Sequence, residues 1–136
     1  MALLDEVQTY LVAQNRGTLP GSRQAWPIYL GYMPDDTIAP NSVITLHEVA
    51  GAPPEGQWNV IYPRLVVQVR GETDFAYSSA RTKMQNIFDT LHNTYDNVTT
   101  DYVSVLGQTS APVFLGYDSK NRPLFMWSFN CIKHAV

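Results

Sequence analysis

The chain carries little charge. Only 15% of its 136 residues are Asp, Glu, Lys or Arg, with nine basic and twelve acidic side chains and a formal charge of −3. Such a chain offers no electrostatic footprint for phosphate binding, which requires clustered Lys and Arg. Sequence-independent nucleic-acid binding is therefore disfavoured. Little charge beside a hydrophobic fraction of 45% also argues against disorder, and it suggests that neighbouring subunits cover part of the surface.

Cysteine is nearly absent, and long apolar runs are missing. Cys131 is the single cysteine, so it cannot form a disulfide within the chain, and its strand-like surroundings predict a buried hydrophobe. No apolar run approaches the ~20 residues that a membrane helix needs. Asp5 and Glu6 interrupt the first apolar stretch, which is therefore unlike a signal peptide. We expect no membrane partner and synthesis in the cytoplasm.

Recognisable catalytic patterns are missing too. The spacing of His47, His92 and His134 fits no metal site, and His47 and Glu48 would point to opposite faces of a strand. The acidic pair Asp35–Asp36 lies in a turn, where adjacent carboxylates are usually solvated. No nucleophile elbow, phosphate loop or dinucleotide motif occurs. We expect neither enzymatic activity nor a bound cofactor or metal.

Two segments have helical periodicity. In residues 2–15 apolar side chains recur at helical spacing, and Gly17 supplies a stop. The second helix follows Gly71, where Thr73 or Asp74 can act as its cap. Its apolar stripe is the clearer of the two and consists of Tyr77, Ala80, Met84, Ile87, Phe88 and Leu91.

Six segments have the composition of strands, three before the second helix and three after it. They cover residues 28–32, 41–49, 65–70, 102–106, 113–116 and 124–132. Asp118–Asn121 supplies a hairpin turn between the last two strands. The sequence thus predicts a single α+β domain over residues 1–136, with a mainly antiparallel mixed sheet flanked by two helices in the order α-β-β-β-α-β-β-β.

Residues 50–63 are predicted to form a long loop. They contain two Gly and three Pro around Trp58, Ile61 and Tyr62, and they show no periodicity. Loops of this length in compact domains are usually functional or disordered. If its apolar side chains face solvent, the loop is a contact surface. The alternative is a loop folded back over the core, and the sequence leaves both open.

Two segments together resemble a known family. The first is a strand ending in QVRG at Gly71, followed by a helix with Tyr77 and Ala80 in a YxxA pattern. The second, at residues 108–125, follows the pattern P-x-x-L-G-x-D and then R, before an aromatic strand. In this order and spacing they resemble, over residues 63–132, the tail terminator (minor capsid or tail-completion) proteins of long-tailed bacteriophages. Asn121 replaces the glycine expected before the turn arginine, but asparagine tolerates the left-handed backbone that the turn requires.

The resemblance implies a structural virion protein. It would form a hexameric ring that caps the tail tube, ends the growth of the tube and presents a face to the head connector. Its partners would be copies of itself, the tail tube protein and the head–tail connector protein, while DNA passes through without specific binding. Its location would be the tail or neck of the virion, and the host cytoplasm during assembly. A closed ring requires a heterologous interface.

Candidate interface residues lie in or beside three irregular segments, residues 17–27, 33–40 and 50–63. Trp58 is the strongest single anchor, because buried Trp, Tyr and Arg dominate interface energetics. The full candidate set is Trp26, Tyr32, Asp35, Asp36, Trp58, Ile61 and Tyr62.

Three alternatives remain open at the level of sequence. Another neck protein, such as a head–tail adaptor or stopper, would have much the same features. A small enzyme or ligand-binding module would need convergent titratable groups around a pocket between sheet and helices. A non-phage domain could instead dimerise through an aromatic sheet face, and a closed C2 dimer would distinguish it from a ring.

Overall fold

The computed structural model describes residues 3–21, 25–34, 40–55, 60–92, 94–95 and 104–134. Its helices are α1 (Leu3–Ala13) and α2 (Tyr77–Leu91). Its strands are β1 (Ile28–Leu30), β2 (Val43–Glu55), β3 (Val60–Arg70), β4 (Thr94–Tyr95), β5 (Ser104–Gly107), β6 (Val113–Tyr117) and β7 (Pro123–His134). The α+β class and the predicted order of elements are confirmed, and the two-residue strand β4 is an addition to that order.

The sheet is mixed but mainly antiparallel. Its order is β1-β2-β3-β7-β5-β4, and β6 also pairs with β7. The β1–β2 pair is parallel, whereas the other pairs are antiparallel. Beside β7, β6 covers the first part of the strand and β5 the later part. The strand β6 is therefore an edge strand within the described residues.

The core lies between one face of the sheet and the two helices. Alternate residues of β3 and β7 share that face, because Leu65, Val67 and Val69 lie opposite Phe129, Trp127 and Phe125. These six side chains are almost fully buried together with Val7 and Leu11 of α1 and Ala80, Met84, Ile87 and Leu91 of α2. Burial of each large apolar side chain contributes about 1.5–3 kcal/mol.

The predicted cap of α2 is wrong. The helix begins at Tyr77, its N-cap is Ala76, and no side chain caps it. Thr73 and Asp74 instead lie in the turn before the helix, where Asp74 and Phe75 have left-handed backbones with φ of 64° and 60°. The tight turn keeps either side chain from the N-cap position.

The predicted loop over residues 50–63 is also wrong. Residues 50–55 extend β2 and residues 60–63 begin β3, while residues 56–59 lie outside the described part of the chain. Two register shifts, between Val49 and Ala52 and between Ala52 and Glu55, absorb the irregularity of this glycine- and proline-rich segment. Pairing of β3 with β7 continues to Val60, and this cross-strand pairing extends the strand beyond what periodicity indicates.

The predicted turn between β6 and β7 is confirmed. The Asn121 N–H donates to the Asp118 carbonyl at 3.0 Å, and the Asp118 N–H donates to the Arg122 carbonyl at 3.1 Å. Asn121 has φ of 61°, the left-handed conformation that its amide side chain tolerates. Among the described residues, no helix is both long and apolar enough to cross a membrane.

Candidate functional site

A group of exposed aromatic side chains lies where β6 meets the start of α2. We call Phe75, Tyr77, Phe114 and Tyr117 the aromatic patch. Between 40% and 56% of each of these side chains is exposed. The patch is held together by edge-to-face ring contacts, with centroids 4.9 Å apart for Phe75–Tyr117, 5.1 Å for Tyr77–Phe114 and 5.2 Å for Phe114–Tyr117. Such pairs are favourable in geometry, so the patch is a pre-formed surface.

The edge strand β6 supplies most of the apolar surface around the patch. Val113 and Leu115, its remaining large side chains, are also exposed, so the whole strand is apolar and solvent-facing. A register shift between Phe114 and Gly116 interrupts the pairing with β7, and Gly116 has φ of 104°, which only glycine adopts readily. The irregular backbone brings Phe114 and Tyr117 together on the helix side of the sheet.

The buried end of the patch is fixed by the core. The Phe125 ring of β7 lies 4.9 Å from the Tyr77 ring and 5.2 Å from the Phe114 ring, and Phe125 is itself almost fully buried. The Phe75 N–H donates to the Asn121 carbonyl at 3.0 Å, which ties the turn before α2 to the β6–β7 hairpin. The patch is thus held on rigid elements and is not carried on a free loop.

Directly beside the patch lies a network of polar side chains. We call Asn41, Arg70, Glu72, Asp118 and Arg122 the polar clamp. Arg70 is only 2% exposed, and its guanidinium donates to three backbone carbonyls, those of Pro34 at 2.7 Å, Asn41 at 2.8 Å and Pro40 at 3.1 Å. A buried charge is tolerated when its donors are satisfied in this way. The arginine of the QVRG segment therefore holds the chain that leads into β2.

Asn41 connects the two halves of the polar clamp. Its side-chain oxygen accepts from Arg122 Nη1 at 3.2 Å, and its Nδ2 donates to Glu72 Oε2 at 3.3 Å. Arg122 Nε also donates to Asp118 Oδ2 at 2.7 Å. These contacts join the segment before β2, the end of β3 and the β6–β7 hairpin.

The electrostatics of Asp118 follow from this arrangement. Burial by itself raises the pKa of the carboxyl, but hydrogen bonds from the backbone N–H and guanidinium of Arg122 and from the backbone N–H of Lys120 outweigh it. The pKa of Asp118 is therefore lowered below its ordinary value. The ionised aspartate is the form that the hairpin stabilises.

Gly71 closes the polar clamp against the helix. Its N–H donates to the Pro123 carbonyl at 2.9 Å. A Cβ at this position would lie 2.9 Å from both Ala80 Cβ and Pro123 Cγ, closer than such atoms approach. The glycine of QVRG and the alanine of YxxA thus allow β3, α2 and β7 to meet closely, which gives a steric reason for both parts of the pattern.

The polar clamp and the aromatic patch contain several residues of the two sequence patterns. Arg70, Gly71, Asp118 and Arg122 hold the backbone, while Tyr77 also contributes a ring to the exposed surface. The recognised patterns are therefore chiefly structural, and they position a contact surface made largely by other residues.

Two of the predicted interface residues are placed by the structure. Tyr32 is 60% exposed and makes an edge-to-face contact with Tyr29 at 5.5 Å. Trp26 is half-buried against the core, and Lys83 Nζ lies 5.5 Å from the centroid of its ring. Burial and repulsion by Arg16 lower the pKa of Lys83.

Trp26 also borders an open cleft of about 530 Å³. The other described residues that line it are Ser78, Ser79, Thr82, Lys83 and Asn86. Hydroxyl groups, an amide and one ammonium can hold a polar side chain of a partner. Trp26 and Tyr32 thus stay predictions as contact residues, in places where a partner could reach them.

The other five predicted interface residues stay predictions. Asp35, Asp36 and Trp58 lie outside the described residues. Ile61 and Tyr62 are in the backbone of β3, and therefore in a strand and not in the predicted loop.

Sequence reasoning missed the aromatic patch. The available signal was β6 itself, whose residues Val113–Tyr117 read VFLGY and contain no charged side chain. An internal strand of that composition would be unremarkable, so only the pairing pattern, which leaves β6 at an edge, reveals its exposure.

His92 and Cys131 have side chains that could take part in chemistry, but both make structural contacts. His92 stacks on Phe88 with ring centroids 4.6 Å apart, and its Nδ1 accepts from the Gly107 N–H at 3.0 Å. Cys131 is buried in β7, as predicted, and burial raises the pKa of its thiol to about 12. Within the described ranges, no group of three or more His, Cys, Asp or Glu could hold a metal ion.

A two-layer α+β scaffold with an exposed apolar sheet edge is typical of proteins that bind other proteins. Comparison with known families gives a match to the model of the bacteriophage tail terminator protein over residues 4–134. Because this match spans nearly the whole chain, the protein belongs to the bacteriophage tail terminator family and has a structural role in the phage tail. No curated protein matches the chain.

Proposed function

We propose that this protein forms a homohexameric ring that caps the finished tail tube, ends the growth of the tube and presents the surface that joins the head connector. The observation that carries the proposal is the family match over residues 4–134. The exposed aromatic patch supports self-association, since apolar patches of this kind are frequently interaction sites. A ring of identical subunits needs a heterologous contact, and an open sheet edge supplies one of its two sides.

The proposal is tested by native mass over a concentration series, with negative-stain images of the same sample. A ring of six copies at 15.3 kDa each would have a mass of about 92 kDa and a central hole. A stable dimer with no larger species would contradict the ring. If the protein is a monomer alone, isolated tail tubes are added, because a tube end can template assembly.

The capping role has its own test. Tubes incubated with the protein should carry a ring at one end and should no longer elongate when tube protein is added. Uncapped tubes that continue to grow would reject the capping role and leave an adaptor or stopper role in the neck as the alternative.

DNA passes through the ring without specific binding in this proposal. Six copies at −3 give the ring a formal charge of −18, and attraction to DNA depends on clustered cations. We expect no retention of duplex DNA by the assembled ring at moderate salt. Salt-dependent retention, or an assembled bore lined with Lys and Arg, would contradict this expectation.

Trp58 remains the proposed anchor between β2 and β3. Replacement of Trp58 by alanine should cost ~2 kcal/mol or more of assembly energy if the side chain lies at the centre of a contact. Unchanged assembly of a folded Trp58→Ala protein would refute this role and leave the ring proposal intact.

A further inference from the structure

The two lateral edges of the sheet differ in how they are covered. At the β1 edge, the Ile28 N–H donates to the Thr18 carbonyl at 2.9 Å, and the Ile28 carbonyl accepts from Gln8 Nε2 at 2.8 Å. The β1 edge is therefore closed at Ile28 by the subunit itself. At the opposite edge, no strand of the described residues pairs with the outer side of β6.

Soluble proteins usually protect such an edge. Charged side chains, proline within the strand or a covering loop prevent pairing with another chain. Apart from the β-bulge between Phe114 and Gly116, β6 has none of these protections in its five residues, and its large side chains Val113, Phe114, Leu115 and Tyr117 are all exposed. A long-lived partner on this edge explains why so apolar a strand carries neither charge nor proline.

Backbone strain beside β6 also indicates that this edge contacts a partner. Asp74 and Phe75 both have positive φ, and Phe75 is a bulky residue for which this conformation is an outlier. Phe75 is 56% exposed, so burial of its ring contributes little to the stability of the subunit. Strain of this kind is retained where the surrounding structure or a function requires it.

A second stretch, which has no further strand partner among the described residues, lies on the far side of the same sheet. Pairing of β1 with β2 ends at Leu46, yet β2 continues to Glu55. Residues 47–52 precede Pro53 and Pro54, so they keep all of their backbone N–H donors. Val49 in this stretch is 38% exposed. The proline-free stretch is six residues long, close to the five of β6.

Strand direction makes the two open stretches compatible. The β2–β3, β3–β7 and β7–β6 pairs are each antiparallel, so β6 runs opposite to β2. When one copy follows another with its sheet in the same sense, β6 of the first meets β2 of the second in antiparallel orientation. This arrangement continues the alternation already present within the subunit.

We propose that β6 of each copy pairs, antiparallel, with residues 47–52 of β2 in the next copy, and that the aromatic patch packs against that neighbour. The inference rests on the proposed ring and names the two surfaces that build it. Because the surfaces are different and lie on opposite edges of one sheet, the contact is heterologous, as a closed ring requires.

The size and chemistry of the patch favour a second copy over a transient partner. Together with Val113 and Leu115, the aromatic patch exposes on the order of 500 Å² of side chain. With a polar rim, this approaches the ~800 Å² per partner of a standard stable interface. Homomeric interfaces are also more apolar than transient ones, and β6 has no charged residue.

The first test introduces a charge on the open edge. Leu115→Asp should lower the apparent association constant of the ring at least tenfold, because it places a carboxylate in an apolar contact. Ile132→Asp is the matched control, since Ile132 is 43% exposed on β7, which lies between β3 and β5 and not at an edge of the sheet. Circular dichroism and denaturant unfolding check that both variants remain folded.

The second test identifies the neighbour. In a Cys131→Ser background, Val49→Cys is combined in turn with Val113→Cys, Leu115→Cys and Tyr117→Cys. Mild oxidation should give a ladder of cross-linked species up to the hexamer for at least one pair, because paired strands bring Cβ atoms within disulfide reach. Val49→Cys with Ile132→Cys should give no ladder, because Ile132 lies on the interior strand β7.

The outcomes separate this inference from the ring itself. If the wild-type protein forms rings, but Leu115→Asp assembles normally and no pair cross-links, the inference is wrong and the proposed function stands. Intact Leu115→Asp rings that fail to cap tubes would assign β6 to the tube protein, which also overturns the inference. If the wild-type protein forms no ring even on tubes, the proposed function fails first.

Discussion

The polar clamp and the aromatic patch lie beside the same hairpin, but their side chains are buried to opposite extents. Arg70 and Arg122 are polar yet buried, and their donors are used within the subunit. Phe75 and Phe114 are apolar yet exposed. The clamp is complete in one subunit, whereas the patch leaves apolar surface in water. This difference indicates that the clamp maintains the fold, and it supports the proposal that the patch contacts a second molecule.

Removal of the arginine at the centre of the clamp should have the largest effect on stability. Arg70→Ala should lower the free energy of unfolding by about 3 kcal/mol or more, because three backbone carbonyls lose a charged donor in a buried place. Arg70→Lys should be intermediate, since an ammonium cannot reproduce the planar fork of a guanidinium. Denaturant unfolding of the purified variants measures both.

Arg81→Ala is the control for this loss. Arg81 lies on α2 and donates one hydrogen bond to Gln85 at 3.1 Å, so its removal should change stability by only ~0.5 kcal/mol. Equal stabilities of the Arg70 and Arg81 variants would mean that the clamp does not maintain the fold.

A methyl group on Gly71 tests the close approach of three elements. Gly71→Ala should cost about 2 kcal/mol, because its Cβ meets Ala80 Cβ and the Pro123 ring at 2.9 Å and neither can move independently of its backbone. In an Ala80→Gly background the cost should be smaller, since one of the two contacts is removed. A double-mutant cycle from thermal unfolding measures that coupling, and an additive result would argue against the contact.

The charge of Asp118 makes the clamp sensitive to acid. Asp118→Asn should cost about 1.5 kcal/mol at neutral pH, because the amide keeps the backbone hydrogen bonds but loses the charged bond to Arg122. The folded protein lowers the pKa of Asp118, so its contribution is present above the unfolded pKa of about 4 and is lost as pH falls through the folded value.

The two proteins should therefore converge in stability at acidic pH. Unfolding free energies at pH 7, 5 and 3 measure this convergence. Asp89→Asn, at an exposed carboxylate that accepts from Gln85 Nε2, is the comparison for a general charge effect. A constant difference between wild type and Asp118→Asn across this range would exclude ionisation as the cause.

Substitutions in the patch should change stability the least. At position 75 we expect glycine to be tolerated better than alanine. Phe75→Gly should be more stable than Phe75→Ala by roughly 1 kcal/mol, because glycine relieves the positive φ while both lose the ring. Relative to wild type, Phe75→Gly should change the unfolding free energy by less than ~1 kcal/mol. Alanine equal to or better than glycine would show that position 75 is not strained.

The same variants sharpen the contrast between clamp and patch. If the patch serves a second molecule, Phe75→Gly should weaken assembly while the subunit stays folded, as measured by native mass against unfolding. A variant that weakens folding and assembly in parallel would instead place Phe75 with the residues that maintain the fold.

Strong periodicity made much of the fold predictable. The stripe on α2 from Ala80 to Leu91 and the alternation in β7 are each determined by side chains that bury one face, and the structure confirms both. The turn at Asn121 was predictable as well, because its residue types suit a left-handed position. Residue types within a short segment are sufficient for prediction where the conformation of a helix, strand or turn depends mainly on that segment.

The failures arose where distant parts of the chain decide the conformation. Residues 50–55 and 60–63 contain turn-forming residues, yet they belong to β2 and β3, which pair with each other while β3 also continues alongside β7. The cap expected at Thr73 or Asp74 was displaced by a tight turn bound to Asn121. In both cases the contacting segment is distant in the sequence, so the local residues do not predict it.

The sequence by itself determined the α+β class, the order of elements, the burial of Cys131 and the family resemblance. Each of these depends on residue type, periodicity or turn chemistry within a short window. Only the tertiary structure decided that β6 lies at an edge and that Asn41 joins Arg122 to Glu72. Strand order and long-range hydrogen bonds depend on which distant segments meet, and VFLGY reads alike whether it is buried at the centre of a sheet or exposed at its edge.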